Sequence, residues 1–523
     1  MVGRFFRPSI AACALALAAC THSDLRPDYV RQPSTSLAPQ PDAPLVIEAK
    51  RLEVEHPGES GLRLLANPID ALISRIALAD RAKYSIDLQY YIYHGDATGK
   101  LLAQHLIMAA DRGVRVRVLL DDLHEVGHDP VLRALDAHPH IEIRLFNPFH
   151  ERSGGAWGMG KQFAGDFSRL NRRMHNKAFV VDGAGAVIGG RNIGDEYFDA
   201  SGAVKFRDLD VLLIGPVVTE VANVFDQYWN SDPSVPIEAF EQREATADID
   251  ALRKTLEENA AAMRDSPFGK GLIQETDDVR AKRDIGRWSW GEATFLADDP
   301  GKVTPDVDDA ELHLAPKVRE WLDTAQQRVL LISPYFIPRD KGVAYLAKMR
   351  ERGVEVEVLT NSLSSTDADG VYAAYASYVP PLLAAGVTIY ELKPNAERTR
   401  KQKHQITSTE SASSLHAKAI VVDDDKSFIG SMNLDPRSHN LNTEDGVIVT
   451  SRGIAEQLVR TFELATDPLV TYEVKLKEGS KSTVYWETKE NGETVLYDDA
   501  PRTSGWRRFK AGFSRVLPVE GML

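Results

Sequence analysis

Cysteine is nearly absent. Two occur in 523 residues, Cys13 and Cys20, and both lie in the first twenty positions. Everything after residue 20 therefore lacks a disulfide framework and a thiolate metal site. A basic excess is missing too: 62 Lys and Arg face 76 Asp and Glu, a net charge of −14. General nucleic-acid binding needs cations to neutralise phosphates, so nucleic acid is not an expected partner. Beyond the N-terminus no stretch is apolar and long enough to span a bilayer. The zinc-protease pattern HExxH does not occur. What remains is ordinary globular composition, 43% hydrophobic and 26% charged, with length for about two to four domains of ~150 residues.

The first twenty residues, MVGRFFRPSIAACALALAAC, carry Arg4 and Arg7 and then a short apolar run from Ile10 to Ala19. A basic flank, an apolar centre and small residues at the end read as a secretory signal. Leu17-Ala18-Ala19-Cys20 resembles the bacterial lipobox, which implies lipidation of Cys20. Thr21, rather than Asp, follows the cysteine. By resemblance to lipoprotein sorting this favours the outer membrane, facing the periplasm, over the inner membrane. Residues 24–45 are rich in Pro, Ser and Gln without apolar periodicity, and are expected to form a flexible tether.

MHNKAFVVD at 174–182 returns as LHAKAIVVD at 415–423, 241 positions later. Other pairs keep the same order at similar offsets: YSIDLQYYIY with VLLISPYFIP, RGVRVRVLLDD with RGVEVEVLTNS, IEIRLFNP with VTIYELKP. This is one domain written twice. In each half a helical run leads into a β-branched strand, then a second helix and a second strand. Alternating helix and strand predicts an α/β sandwich around a mixed sheet in each half. Residues 236–290 are polar and weakly periodic and predict a mainly helical connection. Residues 471–497 predict a hairpin turning at ENGE. From about Gly505 the chain predicts a helix with Trp506, Phe509, Phe513 and Val516 on one face and Arg507, Arg508, Lys510 and Arg515 around it. Such a helix suits an anionic membrane surface or a docking site on the protein.

The chemistry sits in the repeated phrase. If it is a strand, side chains two apart share a face, so His175 projects with Lys177 and His416 with Lys418. Asp182 and Asp423 fall seven residues after their histidines, on the opposite face, and are expected to close the turn that follows. Gly189-Gly190-Arg191-Asn192 and Gly430-Ser431-Met432-Asn433 come next. A glycine-led turn lets backbone approach an anion, and Asn192 or Asn433 can donate to it. Imidazole, ammonium and amide together are no hard-metal ligand set. They suit a tetrahedral phosphate held without metal or other cofactor, with lysine supplying the positive charge. Asp208 lies 33 residues past His175 and Glu444 lies 28 past His416. Parity removes the motif aspartates as orienters of the imidazoles and turns attention to downstream carboxylates such as these two. Asp195, Glu196, Asp435 and Arg437 follow the asparagines and are expected to line the site.

The string H-x-K-x4-D-x6-G-[GS]-x-N, occurring twice, resembles the phospholipase D superfamily, in which two HKD motifs meet between two similar domains. DLQYYIY, RLFNPF, DFSRLNRRMHNK, IGGRNIGDEYF, SLHAK and DPRSHNLNTE are similar to bacterial cardiolipin synthases of the C type. The resemblance implies two duplicated α/β/α sandwich domains packed around one shared active site. It implies a ping-pong phosphatidyltransferase with His175 as nucleophile and His416 as general acid and base, although the two halves are too alike for sequence to separate these roles. Lys177, Lys418, Asn192 and Asn433 would hold phosphate oxygens, with Gly189, Gly430, Ser431, Asp182 and Asp423 structural. Asp208 and Glu444 stand where the superfamily carries an acid on a neighbouring strand, and the resemblance implies that they orient the imidazoles. Expected substrates are phosphatidylglycerol and, as an alternative, phosphatidylethanolamine, met at a membrane surface, with donor and acceptor left open. A hydrolytic phospholipase D, a nuclease and a non-catalytic scaffold remain alternatives. The expected layout is 1–20 signal peptide, 21–61 tether, 62–235 first domain, 236–290 connection, 291–470 second domain, and 471–523 hairpin and basic terminal helix.

Overall fold

The computed structural model describes residues 24–26, 28–152, 155–200, 204–241, 248–282, 288–305, 310–394 and 412–514. The signal segment with Cys20, and the end of the chain with Val516, lie outside the described residues, and so does the Phe513 side chain.

The first half contributes β1 (Ser60–Leu65), β2 (Ser85–Tyr90), β3 (Arg115–Asp121), β4 (Ile141–Phe146), β5 (Ala178–Val181), β6 (Gly185–Gly189), β7 (Val204–Arg207), β8 (Asp210–Ile214) and β9 (Ser234–Pro236). The second contributes β10 (Ser289–Ala297), β11 (Arg328–Ile332), β12 (Glu355–Asn361), β13 (Thr388–Leu392), β14 (Ala412–Leu415), β15 (Ala419–Val422), β16 (Lys426–Gly430), β17 (Asp445–Thr450), β18 (Thr471–Leu476), β19 (Val484–Glu490) and β20 (Glu493–Tyr497). The first sheet runs β1-β8-β6-β5-β2-β3-β4-β9, with only β2–β3 and β3–β4 parallel. The second repeats that order as β10-β17-β16-β15-β11-β12-β13-β18, again with two parallel pairings, β11–β12 and β12–β13. The β1–β10 pairing joins the two sheets edge to edge.

Burial explains why the motif strands are apolar throughout. In β5, Ala178 and Val180 enter a core shared by both halves, while Phe179 and Val181 enter the first half's own core. In β15, Ala419 and Val421 enter the shared core, and Ile420 and Val422 the second half's core. A strand buried on both faces has no polar side to alternate with. The helices Val217–Asn230 and Arg452–Ala465 put Val217, Val221, Ile454 and Leu458 into the shared core. The helices Pro68–Arg81 and Ala97–Asp111 cover the opposite face of the first sheet. Each half is thus an α/β/α sandwich, with its inner helix at the common seam.

Two expectations change. The expected flexible tether is seated on the first half: Arg117 donates to the Ser34 carbonyl (3.0 Å), and Ser36 N–H donates to Asp226 (2.7 Å). Residues 44–53 form a helix. Backbone polar groups of a Pro- and Ser-rich stretch found charged partners, the buried Arg117 and the half-buried Asp226, which composition does not reveal. The expected hairpin appendage is part of the second sheet, because β18 pairs antiparallel with β13 and extends it to β19 and β20. Its turn does fall at ENGE, with Asn491 and Gly492 both at positive φ (51° and 88°). The polar connection holds helices Ile249–Asp265 and Pro267–Lys282.

Candidate active site

The seam between the halves is stitched at two equivalent places. Met174 bridges in parallel to Thr443, and His175 N–H donates to the Thr443 carbonyl (2.8 Å). At the other place β14 pairs in parallel with β7, with Leu415 opposite Arg207, and His416 N–H donates to the Arg207 carbonyl (2.7 Å). The strands β5 and β15 begin only at Ala178 and Ala419, so each histidine and lysine sits on an irregular segment rather than in the sheet. The apolar run predicts a strand at these positions. Their backbone instead pairs across the seam. A second device repeats in both halves. Asp121, at the end of β3, accepts from Met174 N–H (2.8 Å), and Asn361, at the end of β12, accepts from Leu415 N–H (2.9 Å).

This register decides the partners. Each histidine faces the residue after its cross-seam neighbour, so the pairs are crossed. His175 Nδ1 lies 2.8 Å from Glu444 Oε2, and His416 Nδ1 lies 2.5 Å from Asp208 Oδ2. Counting forward from each histidine found both carboxylates but put each in the wrong half's partnership. With the Nδ1 proton given to the carboxylate, each Nε2 is left for chemistry. Both rings are buried. Tyr91 packs edge-on to His175 (5.0 Å between ring centres), and Tyr197 and Phe206 pack on His416 (5.3 and 5.0 Å).

The two carboxylates differ in surroundings. Glu444 accepts from Ser431 Oγ (2.6 Å) and Ser438 Oγ (2.7 Å), two neutral donors. Burial pushes its carboxyl above the usual range, only partly opposed by Lys177 and these hydroxyls. Asp208 has Gly190 where the second half has Ser431; a Cβ there would stand 2.1 Å from Asp208 Oδ1. Burial opposes its ionisation, but His416, Lys418 and Arg191 outweigh that and hold it at about 2. His175 is driven well below an ordinary histidine by burial, then by Lys177 and Lys418. His416 is also lowered, by burial and Lys418, with Asp208 pulling the other way. Each lysine therefore acts on both histidines, as residues of one centre do.

Lys177 Nζ donates to the His175 carbonyl (2.5 Å); Lys418 Nζ contacts the His416 carbonyl and lies 2.8 Å from His416 Nδ1. Burial drives Lys177 down to about 7 against the pull of Glu444, and it lowers Lys418 as well. Asn192 donates to the Tyr197 hydroxyl (2.8 Å), while Asn433 has a buried carbonyl oxygen with no partner among the described residues. Asp182 and Asp423 are absent from this centre. Asp182 accepts from the N–H groups of Lys83, Tyr84 and Ser85, and Asp423 from those of Gln326, Gln327 and Arg328. Both have positive φ (51°) at the turn after their strands. Gly189 (φ 148°) and Gly430 have no room for a Cβ, which would meet backbone at 2.5 and 2.2 Å. Asp435 caps the short helix Pro436–Asn440 through Ser438 N–H (2.7 Å). Asp195 accepts from Thr98 N–H (2.8 Å), and Arg437 crosses the seam to Asn171 (2.9 Å). Among the described residues, one group has metal-ligand type: His94, Asp96 and Glu196. Asp96 there accepts from Gly99 and Asp195 N–H, and His94 pairs with Glu196 at 3.2 Å.

Sequence reasoning missed Tyr91, Tyr197, Phe206 and Ser438. It also missed Asp298, whose Oδ2 accepts from Glu444 N–H (2.7 Å) and Lys302 (2.8 Å). Tyr91 and Asp298 lie far from the motifs in sequence, while Tyr197 and Ser438 stand five residues past the motif asparagines, where no residue-type pattern marks a wall or a support.

Paired imidazoles, each backed by a carboxylate and flanked by a buried lysine, are a side-chain set suited to phosphodiester transfer, shared by two domains. The family profile described as "Cardiolipin synthase, PLD-like domain" matches residues 75–229 and 318–465. The chain is 38% identical to cardiolipin synthase C of Escherichia coli over 90% of its own length and 97% of that protein's. It is 29% identical to a cardiolipin synthase A of Pseudomonas putida over 76% of its length and 66% of that protein's. Phosphatidylserine synthase of Haemophilus influenzae shares the fold, with a TM-score of 0.56 at 13% identity, covering 91% of this chain and 100% of that one. The chain belongs to the cardiolipin synthase family of phospholipase D-like proteins and is an enzyme of its phosphatidyltransferase class.

Proposed function

We propose that this enzyme moves a phosphatidyl group from one phospholipid to the alcohol of another through a phosphohistidine, making cardiolipin. The observation that carries the reading is the crossed pairing of two histidines with two unlike carboxylates. His175, which burial lowers well below its ordinary value and which is backed by Glu444, is the nucleophile. His416 faces the fully ionised Asp208 and is the acid, since a fixed negative charge favours imidazolium. That distinction was not available from two near-identical motifs.

In the first step His175 Nε2 bonds to phosphorus, the bond to the headgroup oxygen breaks, and His416 gives its proton to the departing alcohol. In the second, neutral His416 takes the proton of the incoming hydroxyl. The freed oxygen bonds to phosphorus and the phosphorus–nitrogen bond breaks. Lys177 and Lys418, now resting on carbonyl oxygens, turn to the phosphate oxygens, joined by Asn433 and by Asn192 once it leaves Tyr197. Phosphate entry restores the lysine charges that burial suppresses. Donor and acceptor are phosphatidylglycerol, with phosphatidylethanolamine as a second lipid partner. A lipidated Cys20 would hold the chain on a membrane facing the periplasm, the outer one favoured.

Purified protein given phosphatidylglycerol, with and without phosphatidylethanolamine, is expected to yield cardiolipin on thin-layer chromatography. Phosphatidic acid as sole product would replace transfer with hydrolysis.

A further inference from the structure

Two exposed aromatic groups stand at the same end of the molecule, one from each half. Both centre anchors, Asp121 and Asn361, are the last residues of parallel strands, β3 and β12, so the histidines lie at the carboxyl ends of those strands. In the first half the chain leaves β4 at this end and forms the helix Gly155–Gly165, where Trp157 is 85% exposed. That helix is tied down beside the centre. Arg152, just before it, pairs with Asp122, the residue after Asp121, and Phe149 N–H donates to the same carboxylate (2.7 Å). Phe167, also exposed, stacks edge-on against Phe163.

In the second half the terminal helix Gly505–Ser514 docks on the loop that follows β12. Arg507 donates to Asp369 (2.6 Å) and to the Thr366 carbonyl (2.9 Å). Asp367, between them, accepts from Tyr335 (2.8 Å), whose carbonyl accepts from Ser333 Oγ (2.7 Å), and Ser333 accepts from Leu434 N–H (3.1 Å), between Asn433 and Asp435 of the centre. On this docked helix Trp506 is 65% and Phe509 61% exposed, stacked at 5.5 Å with rings 18° from parallel. The helix sequence holds three bases and no acid in a chain of net charge −14, with Arg507 paired to Asp369 and Arg508 3.8 Å from Asp499.

Resting on the phospholipid reading above, we propose that Trp157 on one side and Trp506 with Phe509 on the other form a bilayer-docking face around the mouth of the active site. The partner is the surface of an anionic phospholipid membrane. Indole and phenyl rings favour the headgroup–acyl boundary, and the basic helix is drawn to anionic headgroups. The helix's docking on the protein positions its aromatic face rather than competing with membrane binding. The lipid phosphate is then presented to the histidines without leaving the bilayer.

The test uses the full-length protein with vesicles of phosphatidylglycerol and phosphatidylethanolamine, some carrying brominated acyl chains. Bromine is expected to quench part of the tryptophan emission, and Trp157→Phe with Trp506→Phe to remove that part. On vesicles, Trp157→Ala/Trp506→Ala/Phe509→Ala is expected to raise the apparent KM, roughly tenfold per aromatic removed. On a short-chain phosphatidylglycerol dispersed as monomers, kcat/KM should stay within a factor of about three of the parent. Equal loss on both substrates, unchanged vesicle KM, or no bromine quenching in the parent overturns the proposal. So does a parent oligomer that the triple variant dissolves without any quenching, since a second copy then covers the face. A parent that turns over neither lipid but is quenched on vesicles refutes the enzymatic reading and leaves the docking face standing.

Discussion

Replacing Asp208 by Asn removes the one carboxylate held at about 2 in the centre and leaves a near-isosteric amide 2.5 Å from His416 Nδ1. Two unit charges about 4 Å apart in a medium of effective dielectric about 20 interact by about 4 kcal/mol. At about 1.4 kcal/mol per pH unit, losing that attraction lowers the His416 titration by up to about three units, with Lys418 acting alike in parent and variant. His416 must be protonated to act as acid, so the alkaline limb of the kcat/KM profile should move down by that amount. Loss of the acid should lower kcat by roughly 10²- to 10⁴-fold at neutral pH. Glu444→Gln acts on the other histidine. His175 must be neutral to attack, so there the acidic limb should move down instead. The assay is initial-rate cardiolipin formation between pH 5 and 9 for parent and both variants. If Asp208→Asn moves the acidic limb and Glu444→Gln the alkaline one, the crossed assignment of roles is wrong. If neither limb moves, the carboxylates do not orient the imidazoles.

Asp182→Ala strips an acceptor from three backbone N–H groups far from the chemistry. It should lower unfolding free energy by about 2–4 kcal/mol in denaturant titration, with kcat changed less than about threefold. Asp208 is depressed in the folded chain, so it adds stability that is complete above its unfolded value near 4 and lost as pH falls toward about 2. Melting temperatures of parent and Asp208→Asn should differ at pH 5 and converge as pH falls through that window. Gly190→Ala puts a methyl 2.1 Å from Asp208 Oδ1 and should cut kcat about 100-fold while far-ultraviolet circular dichroism stays unchanged.

The duplicated sandwich was legible because the repeats kept their order and because a strand buried on both faces must be apolar. The histidines, lysines and two acids were legible because one phosphate needs an attacker, an acid and a counter-charge. The crossing was not legible. It depends on parallel pairing of Met174 with Thr443 and of Leu415 with Arg207, contacts between residues more than two hundred positions apart. The difference between the carboxylates turns on Ser431 standing where the first half has Gly190, a one-residue difference inside the motif. The seating of residues 28–53 was hidden because their partners, the buried Arg117 and the half-buried Asp226, stand elsewhere in the chain.

The most direct test is to trap the intermediate. Phosphatidylglycerol labelled at phosphorus, mixed with His416→Ala protein and quenched in base, should leave an acid-labile phosphoramidate on the peptide containing His175. His175→Ala should leave no label. Label on His416 in the His175→Ala protein, or no covalent label in either variant or in rapidly quenched parent, would contradict the account.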